Sequence, residues 1–395
     1  MVDQTDLALT WTMVADDATL LEVADRLAAG TGPIGIDTER ASGFRYGGRA
    51  YLVQVFRRGA GTFLFDPLGI TSFAPLMRAL AGTEWVLHAA TQDIPCLDEL
   101  GLRPPELFDT ELAARLLGYE RVGLGALVES TLGITLAKAH SAADWSKRPL
   151  PESWLEYAAL DVALLPDLRD AISADLRAAQ KTEFAVQEFA DILTREPKSA
   201  AVQPWRRLSG LSKLRSPRDL AVARELWLAR DALARERDIA PGRLLPDASI
   251  VAAAAAGPRS AGALAGLRTF SGRTSRSELD RWWQAIMQGK TTTDLPDLRF
   301  REPGTLPQHR SWANRHPDAA ARLQAAREAL DTECERLRIP RENLLTPEVL
   351  RRLAWQPPEP LTVDAVDQRM EELGAREWQR SITAPILTEA FVGTE

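Results

Sequence analysis

The sequence predicts an α/β domain built on a mixed β-sheet flanked by helices, followed by two all-helical units. Short apolar runs rich in β-branched and aromatic residues alternate with helical patterns in the first half of the chain. After about residue 195 the strand signal disappears and amphipathic helical patterns take over. Charge divides the chain the same way. Residues 1–205 carry 18 Lys+Arg against 29 Asp+Glu, residues 206–290 carry 16 against 8, and residues 291–395 carry 14 against 18. A net charge of −7 thus conceals segments of −11, +8 and −4.

The elements follow in order. Ile34–Ile36, Tyr51–Phe56, Thr62–Phe65 and Trp85–Leu87 read as strands by length and side-chain type. The loop SGFRYGG (42–48) separates the first two, and GAG (59–61) turns tightly before the third. Helical patterns cover Leu20–Ala28, Ile94–Leu100, Thr110–Leu117 and a long run from about Pro151 to Gln180. The succession β-β-β-α-β-α implies a sheet that is not purely parallel. EPKSAAVQPW (196–205) and the proline-rich LPDLRFREPGTLPQH (295–309) read as linkers. IAPGRLLPD (239–247) resembles IPRENLLTP (339–347) at an offset of 100 residues, and each follows a charged helix. The same helical unit is therefore expected twice.

Composition narrows the function classes. At 395 residues, with 45% hydrophobic and 26% charged residues, the chain has room for two or three domains and is neither disordered nor collagen-like. MVDQTDLALTW lacks a basic start followed by an apolar run, so no secretory signal is expected. No uncharged apolar stretch reaches the roughly 18 residues a membrane span requires. Cys96 and Cys334 lie too far apart in sequence for a disulfide framework or a Cys-rich zinc site. A soluble cytoplasmic protein with no membrane partner is the expectation; no dimerisation heptad stands out, and a monomer is expected with the oligomeric state left open.

Three short motifs carry chemistry. Asp37 and Glu39 in GIDTE alternate along a strand, so both carboxylates project from one face. Their burial together calls for a cation; otherwise they mark an exposed strand end. Asp93 in HAATQDIPCLDEL (88–100) starts a helix, either as a cap or as a third acid. Tyr157 and Asp161 in EYAALDVALL (156–165) share a helical face at i and i+4, as a surface pair or as part of the same site.

Taken together, GIDTE, HAATQD and YAALD resemble the three motifs of the DEDD superfamily of 3′–5′ exonucleases, whose fold is related to ribonuclease H. The resemblance spans about 25–180. AYLVQV (50–55), FDTELAARLLG (108–118) and DWSKRPLP (144–151) are similar to the ribonuclease D branch. The resemblance implies a ribonuclease H-like exonuclease domain over 1–200 that hydrolyses phosphodiesters with two divalent ions, Mg²⁺ or Mn²⁺. One ion lowers the pKa of a water and the other offsets charge on the leaving 3′ oxygen. Oxygen ligands suit both metals. Asp37, Glu39 and Asp161 would hold the first ion, Asp37 would bridge to the second, and Asp93 would support it. Tyr157 would orient the water. The nearest preceding histidine, His140, lies 21 residues before Asp161, which places the chain with the Tyr type.

Other positions are candidates for substrate contact. Gln54 either reaches substrate or pairs within the sheet, and His88 either touches substrate or serves the strand structurally. Lys147 and Arg148 either clamp a phosphate or belong to a solvated loop. Phe44, Arg45 and Tyr46 could meet bases, and Asp109 reads as an N-cap. Residues 206–290 resemble an HRDC domain through LARDALARERDIAPGRLLPD (228–247) and LAGLRTFSGRTSRSELDRWW (264–283). Lys213, Arg215, Arg218, Arg243, Arg268, Arg273 and Arg276 are its candidate phosphate contacts, set against a solvated, salt-bridged surface. Trp227, Trp282 and Trp283 are expected in its core. Residues 310–380 would form a second, divergent HRDC-like unit that braces the enzyme or shapes the substrate path.

The expected activity is release of nucleoside 5′-monophosphates from RNA with a free 3′ end, tRNA precursors above all. The alternatives are a DNA exonuclease of the same superfamily and a nucleic-acid-binding scaffold with a degenerate nuclease domain. The presence of all four acids and Tyr157 speaks against the scaffold.

Overall fold

The computed structural model describes residues 2–3, 10–136, 143–195 and 201–394. His140 and the first half of the expected linker, 196–200, lie outside the described residues. The mixed sheet is present, with six strands: β2 (Trp11–Val14), β3 (Thr31–Arg40), β4 (Ala50–Arg58), β5 (Gly61–Phe65), β6 (Glu84–Leu87) and β7 (Glu106–Asp109). They lie in the order β2-β5-β4-β3-β6-β7. The meander β3–β4–β5 is antiparallel, and β2, β6 and β7 add to it in parallel. A separate parallel pair joins β1 (Val2–Asp3) to β8 (Ile134–Thr135).

The expected long helix from Pro151 to Gln180 is two helices, Glu152–Ala163 and Leu165–Ala178. Pro166 explains the break: it has no N–H to donate and sits in the first turn of the second helix. The first of these helices packs across β3, β4 and β5. Its approach to β3 is close because residue 35 is glycine. A Cβ there would stand 2.5 Å from the Val162 carbonyl oxygen. Asp161 is thereby brought against the strand that carries Asp37.

Beyond residue 201 the described residues form helices only, and the offset of 100 recurs in three dimensions. Helices Pro217–Arg237 and Pro317–Leu337 have the same length and the same relative position. Each ends in a non-glycine residue with left-handed backbone, Asp238 (φ 49°) and Arg338 (φ 52°). Short helices Pro241–Leu244 and Arg341–Leu344 follow, then Asp247–Ala256 and Pro347–Trp355.

The two units relate differently to the sheet domain. Trp205, Leu226, Phe270 and Trp282 anchor a core of their own, with Trp227 and Trp283 packed against it. Leu330, Trp378 and Leu387 belong instead to one continuous core with Ile34, Trp85 and Phe189. Phe184 stacks on Trp378 at 4.4 Å, and the buried Glu188 takes hydrogen bonds from Arg376 and the Trp378 indole. Lys181 donates to Leu116 O and Leu337 O, both at 2.6 Å, tying together the last turns of two helices from different halves of the chain. Among the described residues, no helix is long and apolar enough to cross a membrane.

Candidate active site

Strand β3 positions the first two acids. Its register places Asp37 opposite Gln54 and Glu39 opposite Leu52 on β4, so Asp37 and Glu39 share the face covered by the helix Glu152–Ala163. Carboxylate oxygens of Asp37, Glu39 and Asp161 all lie within 4.8 Å of one another. Tyr157, one turn before Asp161, hydrogen-bonds it. These side chains line a cleft of about 440 Å³ together with Arg40, His88, Asp93 and Glu111.

Asp93 stands apart from the trio. It precedes the helix Ile94–Glu99, yet its side chain makes no capping bond there. Instead the carboxylate accepts a 2.6 Å hydrogen bond from Thr38, the residue between the two acids of β3 and on the opposite pleat. Arg40 lies 3.7 Å away on the same side. The turn that delivers Asp93 is itself fixed by Asp109. That carboxylate accepts from Ala89 N and Ala90 N, and from Glu111 N and Leu112 N at the start of the next helix. Asp109 is the N-cap the sequence implied, and it also holds the turn before Asp93 in place.

The electrostatics follow from crowding acids in a recess. Burial holds the Asp37 carboxyl well above the usual carboxylate range, and the charges of Asp93 and Asp161 add to this. Glu39 is pushed up to about 10 by burial, then by Asp37 and its neighbours. Asp161 rises to about 7 through burial, against the opposing Tyr157 bond. Burial also raises Asp93, with Thr38 and Arg40 pulling the other way. The Tyr157 phenol is raised by burial and by Asp161, so it stays protonated. His88 is lowered to about 4 by burial and is neutral, its Nδ1 2.9 Å from Thr110 Oγ1. Three acids this close cannot all be ionised without added positive charge. An all-oxygen donor set of this kind fits a hard divalent cation.

Several expected contacts fall elsewhere. Gln54 is fully buried under the helix and cannot reach a substrate; neither its Oε1 nor its Nε2 has a partner. Arg148 does not line the cleft. It forms a two-pronged ion pair with Asp66 and donates to the carbonyls of Tyr51, Trp145 and Lys147, so all its donors are committed. Lys147 is exposed beside it, outside the cleft.

Phe44, Arg45 and Tyr46 meet the first helical unit rather than bases. The Arg243 guanidinium covers the Phe44 ring at 4.0 Å and donates to Gly43 O. Tyr46 N and Tyr51 OH donate to Asp238, which also pairs with Arg45 and Arg49. Arg243 is therefore an interdomain residue, and Arg218 is likewise occupied by Gly289 O and Thr292 O. Arg276 gives one bond to Phe270 O. Lys213, Arg215, Arg268 and Arg273 remain exposed. Sequence reasoning missed Thr38 and Arg40, although one lies within the acidic motif and the other follows it directly.

A 3′–5′ exonuclease model matches residues 11–177, an HRDC domain model 219–286, and a model of the 3′ to 5′ exonuclease C-terminal domain 305–391. A ribonuclease D from Nitrobacter hamburgensis is 32% identical over 274 residues, which cover 68% of either chain. The chain belongs to the ribonuclease D family. Among solved structures, a protein from Bifidobacterium adolescentis matches with a TM-score of 0.89 at 37% identity, over 97% of both chains. Escherichia coli RNase D, described as an exoribonuclease involved in structured RNA processing, matches with a TM-score of 0.67 at 26% identity, over 92% of this chain and 99% of its own. The ribonuclease D fold, an exonuclease domain followed by a helical HRDC region, is thus the fold of this chain.

Proposed function

We propose that the cleft is the active site of a metal-dependent 3′–5′ exoribonuclease that releases nucleoside 5′-monophosphates and trims 3′ ends of structured RNAs, tRNA precursors among them. The observation that carries this reading is the carboxylate trio of Asp37, Glu39 and Asp161 within 4.8 Å, with Tyr157 bonded to Asp161. Divalent ions held by these acids and by Asp93 would supply the positive charge that activates a water and offsets the leaving 3′ oxygen. Tyr157 stays protonated, so it orients the attacking water by hydrogen bonding and does not take its proton. Thr38 and Asp109 hold Asp93 and its turn in place.

The test is digestion of matched 3′-labelled RNA and DNA, single-stranded or ending in a stem, with Mg²⁺ or Mn²⁺. RNA is expected to be cleaved faster, with 5′-monophosphates as products. Asp37→Asn is expected to abolish cleavage while leaving the fold and RNA binding intact. Unchanged cleavage by that variant in Mn²⁺ would remove the metal assignment, and faster DNA digestion would reverse the substrate ranking.

A further inference from the structure

Arg40 is the one arginine or lysine that lines the cleft, among the described residues. A polyanion entering a recess lined by five carboxylates meets repulsion that any bound metal relieves only at the acids it binds. Arg40 is placed to meet it first. Its side chain keeps 26% of its exposure. One Nη donates to the Gln92 carbonyl, and the other stands 3.7 Å from Asp93, beyond hydrogen-bond length. Asp93 already has its short bond from Thr38. The remaining guanidinium donors have no acceptor among the described residues.

Arg148 shows what a purely structural arginine looks like in this molecule: every donor is on a protein acceptor. Arg40 is half-spent by comparison, and it lines the cleft. The irregular register between Glu39 and Arg40 at the end of β3 departs from strict alternation there, so the residue after the acidic motif lines the same recess as the acids.

Resting on the exonuclease reading above, we infer that Arg40 is a phosphate-binding residue, taking the terminal phosphodiester of the substrate and the 5′-phosphate of the mononucleotide product. The planar fork suits a phosphate's paired oxygens. The Gln92 carbonyl aims the fork, and the long contact to Asp93 leaves it free to turn toward the anion.

The test uses full-length protein and its Arg40→Gln and Arg40→Lys variants. Binding of AMP and of adenosine is measured by calorimetry in Ca²⁺, and KM and kcat on single-stranded RNA in Mn²⁺. Arg40→Gln is expected to weaken AMP about 10- to 100-fold and to raise KM, with adenosine affinity unchanged. Arg40→Lys is expected to recover part of the AMP affinity, because the charge returns without the fork. Equal AMP affinity in all three proteins, or no AMP binding by the parent, would overturn the inference, leaving Arg40 as a counter-ion of Asp93. A parent that binds AMP through Arg40 but cleaves no RNA would instead count against the exonuclease reading alone.

Discussion

Gly35 and Val162 touch where no side chain fits: a Cβ on residue 35 would lie 2.5 Å from the Val162 carbonyl oxygen, 3.1 Å from Leu165 Cβ and 3.4 Å from Pro166 Cδ. Gly35 is two residues before Asp37, and Val162 is next to Asp161. Backbone contact between them therefore sets the distance between acids from two motifs far apart in sequence. Gly35→Ala must push the helix away from β3. Overpacking of this kind costs about 1–3 kcal/mol, and a shift of reacting groups by about 1 Å is enough to slow catalysis about 100-fold. Melting curves and kcat on labelled RNA check both figures. Gly242→Ala, where a Cβ meets nothing within 4 Å, is the control and should leave both unchanged.

Stability should depend on pH and on divalent ions together. Asp161 and Glu39 have folded-state values of about 7 and about 10, above the roughly 4 of an unfolded carboxyl. Between those values the folded protein holds protons that the unfolded chain has released, so stability falls as pH rises. Added Mn²⁺ should replace those protons. Thermal melts are expected to show a larger Mn²⁺-induced rise in Tm at pH 8 than at pH 5.5. Asp37→Asn should raise the metal-free Tm and shrink the Mn²⁺ effect. A metal effect that is equal at both pH values would contradict the assignment.

Lys181 joins the Leu116 and Leu337 carbonyls across the chain. Lys181→Met leaves two carbonyls without their donor, at a cost of about 1–3 kcal/mol. Because Trp378 and Leu387 share a core with Ile34 and Trp85, the loss should lower a single cooperative unfolding transition. Denaturant melts followed by tryptophan fluorescence test this, and a separate early transition for the C-terminal helices would refute the shared core.

Asp238 holds the first helical unit to the exonuclease domain through Tyr46 N, Tyr51 OH and Arg49. Asp238→Asn keeps a residue tolerant of the left-handed backbone and removes the charge. Hydrogen exchange should quicken at 42–48 while β3–β5 stay protected. The expected cost is only about 1 kcal/mol, since these ion pairs are partly exposed.

How much of this could be read from the sequence depended on how local each signal was. GIDTE, HAATQD and YAALD are contiguous, and the strand and helix periods put their side chains on definite faces. β2 escaped notice because Trp11–Val14 is only four residues at the sheet edge. The Pro151–Gln180 run read as one helix because apolar periodicity continues across Pro166. Thr38 and Arg40 gave no signal, since their roles depend on the turn at 88–93 arriving beside β3. Arg243 looked like a free cation for a similar reason. Its partner, the loop at Gly43 and Phe44, is 200 residues distant.

Asp238 and Arg338 end corresponding helices 100 residues apart, and both corners meet the exonuclease domain. At the first corner the Asp238 carboxylate takes both neutral and charged donors, Tyr46 N, Tyr51 OH and Arg49. At the second the contact is a close backbone fit, with the Arg338 carbonyl set against the Cα of Gly118 and the neighbouring Leu337 carbonyl held by Lys181. The first corner thus rests on partly exposed charges, and the second on backbone packing and a buried lysine. Added salt is therefore expected to speed hydrogen exchange at 42–48 more than at 116–118.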